Sequence, residues 1–349
     1  MRKVILTGGA GFLGSHLTEH FLTLYPKADF VIIDAMTYAA RREYLRPALQ
    51  QSNVTFVQAS ICNRREMLRQ LRGADLVLHA AAESHVDNSY ADSRPFLRSN
   101  IEGTVTLLQA AVENGVSHFV HVSTDEVYGD CRGFDATERS LLNPTNPYSA
   151  SKAAAEMFVK CFAQSFGLAT RVVRANNIYG TRQYPEKLIP KLIVDALAGR
   201  RFRVHGSGMA RRPFLHVRDL CRAIETVVTH GDDGAIYNVP AARDYSVNEV
   251  VNLVCAAMHI PRESFVEHGT DRPHNDSRYG MTGEAIHSLG WEAERELSED
   301  LPAIVQWYRE NLALYLREPA QVMRMPARLG YRFVPARRGE GSTYVGSGG

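Results

Sequence analysis

Tyr148 and Lys152 stand four residues apart in a stretch of helical pattern, so they share one face, one turn apart. A tyrosine hydroxyl with an ordinary pKa near ~10 is a poor base at neutral pH. An ammonium group beside it favours the phenolate, and the pair then becomes a general base. Upstream, Ser123-Thr124-Asp125-Glu126-Val127-Tyr128-Gly129 closes an apolar run of strand character. Two neighbouring acids in a partly buried cleft repel one another, so one keeps its proton and the other does not. That supplies one acid and one base, as a dehydration requires. Thr124 can orient Tyr148 and a substrate hydroxyl. Taken singly, the Tyr-Lys spacing also suits an exposed helix face, and the Asp-Glu pair a solvated turn.

These side chains need a scaffold, and the N-terminal segment indicates which. Thr7-Gly8-Gly9-Ala10-Gly11-Phe12-Leu13-Gly14 follows a β-branched run and opens a helical pattern. Glycines there let the backbone turn sharply and approach a pyrophosphate, while the helix N-terminus offers free N–H groups. Asp34 ends the next strand about 20 residues on, where a carboxylate accepts ribose hydroxyls and repels a 2′-phosphate. NAD is therefore the expected cofactor. Its positive ring beside Tyr148 further favours the phenolate, and Lys152 can hold its ribose.

Strand patterns at Val4–Thr7, Phe30–Ile33, Val54–Gln58, Leu76–His79, Phe119–Ser123 and Thr170–Arg174 alternate with amphipathic stretches such as Leu13–Leu24, Gly103–Asn114 and Tyr148–Phe166. Such alternation predicts an α/β fold, a Rossmann-type doubly wound parallel sheet. Further on, turn-rich segments at Gly180–Pro185, His205–Pro213 and Gly269–Tyr279 separate helical patterns near Glu186–Ala198, Val217–Thr229, Val247–His259 and Ser298–Leu316. The expected organisation is a cofactor-binding domain over 1–176 with a return segment at about 214–240. A smaller mixed α/β substrate lobe spans 177–213 and 241–320, and 336–349 reads as a Gly- and Ser-rich flexible tail.

The chain has 349 residues, 45% of them hydrophobic and 22% charged, with a net charge of +2. This composition suits a soluble globular protein and gives no reason to expect a nucleic-acid or membrane partner. The N-terminal run enters the glycine motif directly and reads as a first strand, not a leader. Five cysteines without a C-x-x-C pair fit free thiols in a reducing, cytoplasmic setting with no metal site.

Together these motifs resemble the extended short-chain dehydrogenase/reductases that act on nucleotide sugars, and within them the NDP-glucose (dTDP- or UDP-glucose) 4,6-dehydratases. The resemblance runs from residue 1 to about 315. It is carried further by Ala80-Ala81-Ala82-Glu83-Ser84-His85-Val86-Asp87, by Asn143-Pro144-Thr145-Asn146-Pro147-Tyr148, by Tyr184-Pro185-Glu186-Lys187-Leu188-Ile189-Pro190 and by Asp271-Arg272-Pro273-His274-Asn275-Asp276-Ser277-Arg278-Tyr279. It implies that Tyr148 deprotonates the sugar 4-hydroxyl as hydride leaves C4, with Thr124 on the 4-oxygen. Glu126 takes the C5 proton, Asp125 protonates the departing 6-hydroxyl, and hydride returns to C6.

The same resemblance assigns Gly8, Gly11, Phe12, Leu13, Gly14, Asp34, Ser60, Ile61, Ala80, Ala82, Asn100, Ser123, Tyr148 and Lys152 to the cofactor. Ser84, Asn177, Lys187, Leu188, Arg212, Asn248, Arg272 and Tyr279 are assigned to a nucleotide-diphosphate hexose. Arg212 and Arg272 would clamp the diphosphate through planar guanidinium forks, although the register also admits Arg211. His85, His205 and His216 read as structural. The family's pattern is not kept at Ser60, Thr181, Pro213, His216, Pro240 or His274-Asn275, which mostly lie on the substrate side. A homodimer is expected by analogy alone. Two other readings stay open: a 4-epimerase or 5,6-dehydratase of the same superfamily, and a non-catalytic NAD-binding regulatory protein.

Overall fold

A computed structural model describes residues 1–269 and 278–316. Six strands of the first half lie where the β-branched runs predict them: β1 (Lys3–Thr7), β2 (Asp29–Asp34), β3 (Val54–Gln58), β4 (Leu76–His79), β5 (His118–Thr124) and β6 (Thr170–Ala175). β7 (Asn177–Tyr179), β8 (Phe202–His205), β9 (Arg211–His216), β10 (Ile236–Val239), β11 (Asp244–Ser246) and β12 (Val266–Gly269) follow. β1–β6 and β10 form one parallel sheet in the order β10-β6-β5-β4-β1-β2-β3. Chain direction reverses across the sheet between β1 and β4, and a ligand crevice opens at the carboxyl edge of such a switch point.

Both faces of this sheet are covered. Val4, Leu6, Leu78, Val120 and Val173 pack on one side against Leu17 and Phe21 of the Phe12–Leu24 helix and Leu220 and Ile224 of the Val217–His230 helix. Ile5, Val77, Phe119 and Val172 face the other way, against Leu107, Ala111, Val159 and Phe162. Strands buried on both faces must be apolar throughout, which is why these runs read as continuous and not as alternating.

The remaining strands make two small sheets, β11-β9-β7 and β12-β8, packed with the Leu188–Leu197, Val247–Met258 and Leu297–Glu310 helices around Ile193, Val250, Val254, Leu301 and Tyr308. Two local expectations are corrected. The segment expected to be turn-rich to Pro213 instead enters β9 at Arg211, because its edges pair with β7 and β11. The helix expected over Ser298–Leu316 stops at Glu310, capped by Asn311, and resumes at Ala313–Leu316.

Candidate active site

Gly8 and Gly14 make the first wall. A Cβ on Gly14 would come within 2.1 Å of the Gly8 carbonyl oxygen, and one on Gly8 within 2.7 Å of Ala81. The loop therefore closes only with hydrogen at both positions. The Asp34 carboxylate ties this loop to β2 by accepting from Ala10 N–H at 2.9 Å and Met36 N–H at 2.8 Å. Burial raises its pKa and these two bonds oppose the rise. Each carboxylate oxygen keeps a further lone pair for a ribose hydroxyl. Phe12 and Leu13 start the helix at this loop, and Leu13 packs into the core beneath it.

Across the switch point, Ala80–Ala82 leave β4, with Ala80 N–H bonded to Thr7 O. Buried Asn100 fastens the next residues in place. It accepts from Glu83 N–H and donates to Glu83 O and to Ser151 Oγ at 2.8 Å. Ser60 Oγ caps its own turn by accepting from Cys62 N–H, and Ile61 is buried against Gly103. Ser123 Oγ is buried without a protein partner. A cradle that a Cβ would fill, a carboxylate with spare lone pairs and an orphaned hydroxyl fit NAD.

The catalytic side chains converge from two elements. β5 ends at Thr124, whose hydroxyl caps the following turn by accepting from Glu126 N–H at 3.2 Å. Thr124 Oγ1 donates to Asp125 Oδ1 at 3.0 Å. Burial raises the Tyr148 pKa, with Glu126 and Asp125 adding to the rise and Thr124 opposing it. Lys152, one turn on, donates to Val122 O at 2.7 Å and lies 3.4 Å from His121 Nε2. Burial lowers its pKa to about 8 against the opposing charge of Glu156. Asp125 is only 1% exposed. Burial first and Glu126 second push its pKa up to about 7, against hydrogen bonds from Asn176 and Thr124. Asp125 is thus pushed toward its protonated form beside Glu126.

Two residues outside the expected set hold these acids. Asn176 Nδ2 donates to Asp125 Oδ2 at 2.7 Å. Asn146 Nδ2 donates to Glu126 Oε2 at 3.0 Å, while Asn146 Oδ1 caps the Pro147–Phe166 helix. An Asn directly before a Pro that opens a helical pattern is an N-cap signal in sequence. Asn176 carries no comparable local signal.

The substrate-side residues separate into groups. Arg212 lies 4.7 Å over the Tyr279 ring, and its charge acts on Asp125. Arg211 is bound instead to Glu249 at 3.0 Å and to Asp244 O. Alternation along β9 gives the two arginines different partners, and Arg212 is the one beside the acids. Next to them is a cavity of about 500 Å³ lined by Asn176, Arg211, Arg243, Arg278 and Tyr279 among others. Arg243 and Arg278 are further cations the sequence reading missed. Lys187 Nζ donates to Ser84 O at 2.7 Å, joining two expected residues across the cleft. Leu188 packs partly into the smaller core, and Asn177 is half-buried at the start of β7. Asn248 is engaged with Ser207 O and Arg262. Arg272 and the 336–349 tail lie outside the described residues.

Residues 4–240 match the model of the NAD dependent epimerase/dehydratase family. The chain belongs to this family. It is 40% identical over 317 residues to a dTDP-D-glucose 4,6-dehydratase of Mus musculus, covering 89% of each protein. It is also 40% identical to a dTDP-glucose 4,6-dehydratase of Streptomyces griseus, covering 88% of this chain and 94% of that one. Among solved structures, DesIV of Streptomyces venezuelae, a dTDP-glucose 4,6-dehydratase with NAD bound, superposes with a TM-score of 0.87 at 37% identity, covering 90% of this chain and 99% of that one. UDP-glucose 4-epimerase of Thermotoga maritima superposes with a TM-score of 0.82 at 27% identity. A dehydratase and an epimerase thus both superpose on this chain's fold.

Proposed function

We propose that this family member is an NAD-dependent hydro-lyase, a 4,6-dehydratase that converts dTDP-glucose to a 4-keto-6-deoxy sugar nucleotide. The observation that carries the reading is buried Asp125, sequence neighbour of Glu126, fixed by hydrogen bonds from Thr124 and Asn176, its pKa pushed up by burial and by Glu126.

Gly8, Gly11, Gly14, Asp34 and Lys152 would hold NAD, which would supply a hydride acceptor and donor for C4 and C6 and a cationic ring favouring the Tyr148 phenolate. Tyr148 takes the proton of the 4-hydroxyl, with Thr124 fixing the 4-oxygen. The new 4-keto group acidifies the C5 proton, and Glu126, aimed by Asn146, removes it. Asp125 gives its proton to the departing 6-hydroxyl, which leaves as water. Glu126 exchanges that proton with solvent and then reprotonates C5. Arg211, Arg243 and Arg278 line the cavity proposed for the diphosphate, and Arg212 lies over Tyr279 of its wall, where guanidinium forks match phosphate oxygens. Each is anchored by carboxylate, carbonyl or aromatic partners, so the clamp is preorganised.

The test is a mass spectrum of the product of dTDP-glucose and of UDP-glucose made in D2O. Loss of one water with one deuterium retained at C5 supports the dehydratase, and the faster substrate names the nucleotide. An unchanged mass with both sugars would overturn it in favour of epimerase chemistry.

Two further observations support a homodimer and a cytoplasmic location. Met157 and Phe158, adjacent on the Pro147–Phe166 helix, lie 62% and 40% exposed, apolar surface that a second copy of the chain would cover. Light scattering that gives a monomer mass would exclude the dimer. All five cysteines are free thiols, which fits a reducing cytoplasm. Among the described residues no helix is long and apolar enough to cross a membrane.

A further inference from the structure

We infer that His121 is a positioning residue: its neutral imidazole accepts a hydrogen bond from the Lys152 ammonium and fixes that ammonium for the cofactor without cancelling its charge. The inference rests on the reading above only in placing Lys152 against the NAD ribose.

β5 crosses the core with both faces covered, and such a strand is expected to be apolar throughout. His121 interrupts it at 0% exposure, between His79 of β4 and Val172 of β6. Alternation puts it on the same face as Phe119, which packs in one core with Val159 and Phe162 of the Pro147–Phe166 helix. A polar side chain in that face costs free energy unless it has a partner. The partner is Lys152 on the covering helix. Its Nζ lies 3.4 Å from His121 Nε2 and donates to Val122 O at 2.7 Å.

The donor and acceptor roles follow from the two groups themselves. An ammonium carries three protons and no lone pair, so it can only donate. His121 Nε2 must then be unprotonated, and the ring proton sits on Nδ1, which is buried without a hydrogen-bond partner. His79, its ring centre 5.1 Å away, does not take that proton. Its own nitrogens are engaged by Thr7 Oγ1 at 2.8 Å and Thr104 Oγ1 at 2.9 Å. Burial, and after it the charges of Lys152 and His79, hold His121 well below its ordinary range and keep the ring neutral.

A neutral acceptor does here what a carboxylate would not. Lys152 is 4% exposed, and a buried ammonium needs partners. A direct ion pair would supply one, yet it would neutralise the charge that favours the Tyr148 phenolate. A carbonyl and an imidazole satisfy two of the three protons, leave the charge whole and leave the third proton for a ribose hydroxyl. Glu156, one turn further along the helix, is bound instead by Arg174 through contacts of 2.5 to 3.2 Å. Among the described residues no carboxylate pairs with Lys152 or His121.

The experiment follows the Lys152 ammonium directly. The chain has six lysines, so isotope labelling of lysine Cε gives an NMR spectrum simple enough to titrate, and Lys152→Arg assigns the signal. The protein is kept in excess NAD, and circular dichroism establishes that each variant is folded. Wild type is expected to titrate near the value of about 8 that burial sets. His121→Phe lowers the midpoint by roughly one pH unit and releases NAD about tenfold faster. His121→Gln, whose amide offers an acceptor oxygen at similar reach, brings both back close to wild type. An unchanged midpoint in His121→Phe, or a His121→Gln no better than His121→Phe, would overturn the inference and leave His121 a residue that only fills the core. Should His121→Phe not fold, wild type decides through long-range proton–nitrogen spectra of His121. The expected ring proton is on Nδ1, and a proton on Nε2 would overturn the inference, since that nitrogen could not then accept from Lys152. If wild type removes no water from dTDP-glucose, the dehydratase reading fails, and the titration still reports separately on His121 and Lys152.

Discussion

Asn176 donates to Asp125 Oδ2 at 2.7 Å while its own carbonyl oxygen is held by Ala241 N–H at 2.8 Å. One amide thus ties the proposed acid to the chain just beyond β10. The bond opposes the upward push of burial and of Glu126 on Asp125. Asp125 must be protonated to release water, so activity falls as pH rises through its pKa of about 7. Removing the donor in Asn176→Ala raises that pKa and moves the falling limb of the kcat profile to higher pH. Lost aim lowers the maximum roughly ten- to a hundred-fold. A pH–rate profile checks both; a limb that stays put or moves down contradicts the assignment.

The same raised pKa costs stability. The unfolded chain releases the Asp125 proton near pH ~4, whereas the folded chain holds it to about 7, so folding stability from this group falls as pH rises between the two. Asp125→Asn removes the titration. The variant gains stability over wild type near pH 8 by roughly 2 kcal/mol more than it does near pH 5. Urea melts at the two pH values measure the difference, and equal gains would show that Asp125 titrates normally.

Glu126→Gln separates the half-reactions. Oxidation at C4 needs Tyr148 and proceeds, but the C5 proton has no acceptor, so water loss drops by at least about a hundredfold. Reduced nicotinamide absorbance then accumulates with the 4-keto sugar. Full dehydration by this variant would move the base elsewhere.

Gly14→Ala tests the cofactor cradle. Its Cβ would meet backbone at 2.1 Å, which no rotamer change relieves. Expected are a loss of roughly 1–3 kcal/mol in stability and a purified protein depleted of NAD. A variant with unchanged melting temperature and full NAD content would show that the loop has room to spare.

The first half of the chain was legible because its signals are local. Two-sided burial makes parallel strands continuously apolar, the glycine loop must lack side chains, and helical spacing by itself puts Tyr148 and Lys152 on one face. The adjacent acids were legible for a related reason: their repulsion depends on sequence neighbours, and burial at a strand end does the rest. β9 was less readable, since its pairing partners β7 and β11 lie elsewhere in the chain and a Ser-Gly turn followed by Arg-Arg-Pro has no strand signature of its own.

Sequence alone therefore determined the family frame, and it singled out the cofactor loop, Tyr148 and the two adjacent acids as candidates. Tertiary structure decided how those acids are aimed. The β5–β6 register pairs Thr124 with Ala175, which sets the next residues, Asp125 and Asn176, side by side past the sheet edge although they are 51 positions apart in the chain. It likewise set Arg211 and Arg212 apart, since strand alternation on β9 sends one to Glu249 and the other to Tyr279. Contacts made by strand register depend on hydrogen bonds between distant segments, and no local spacing encodes them.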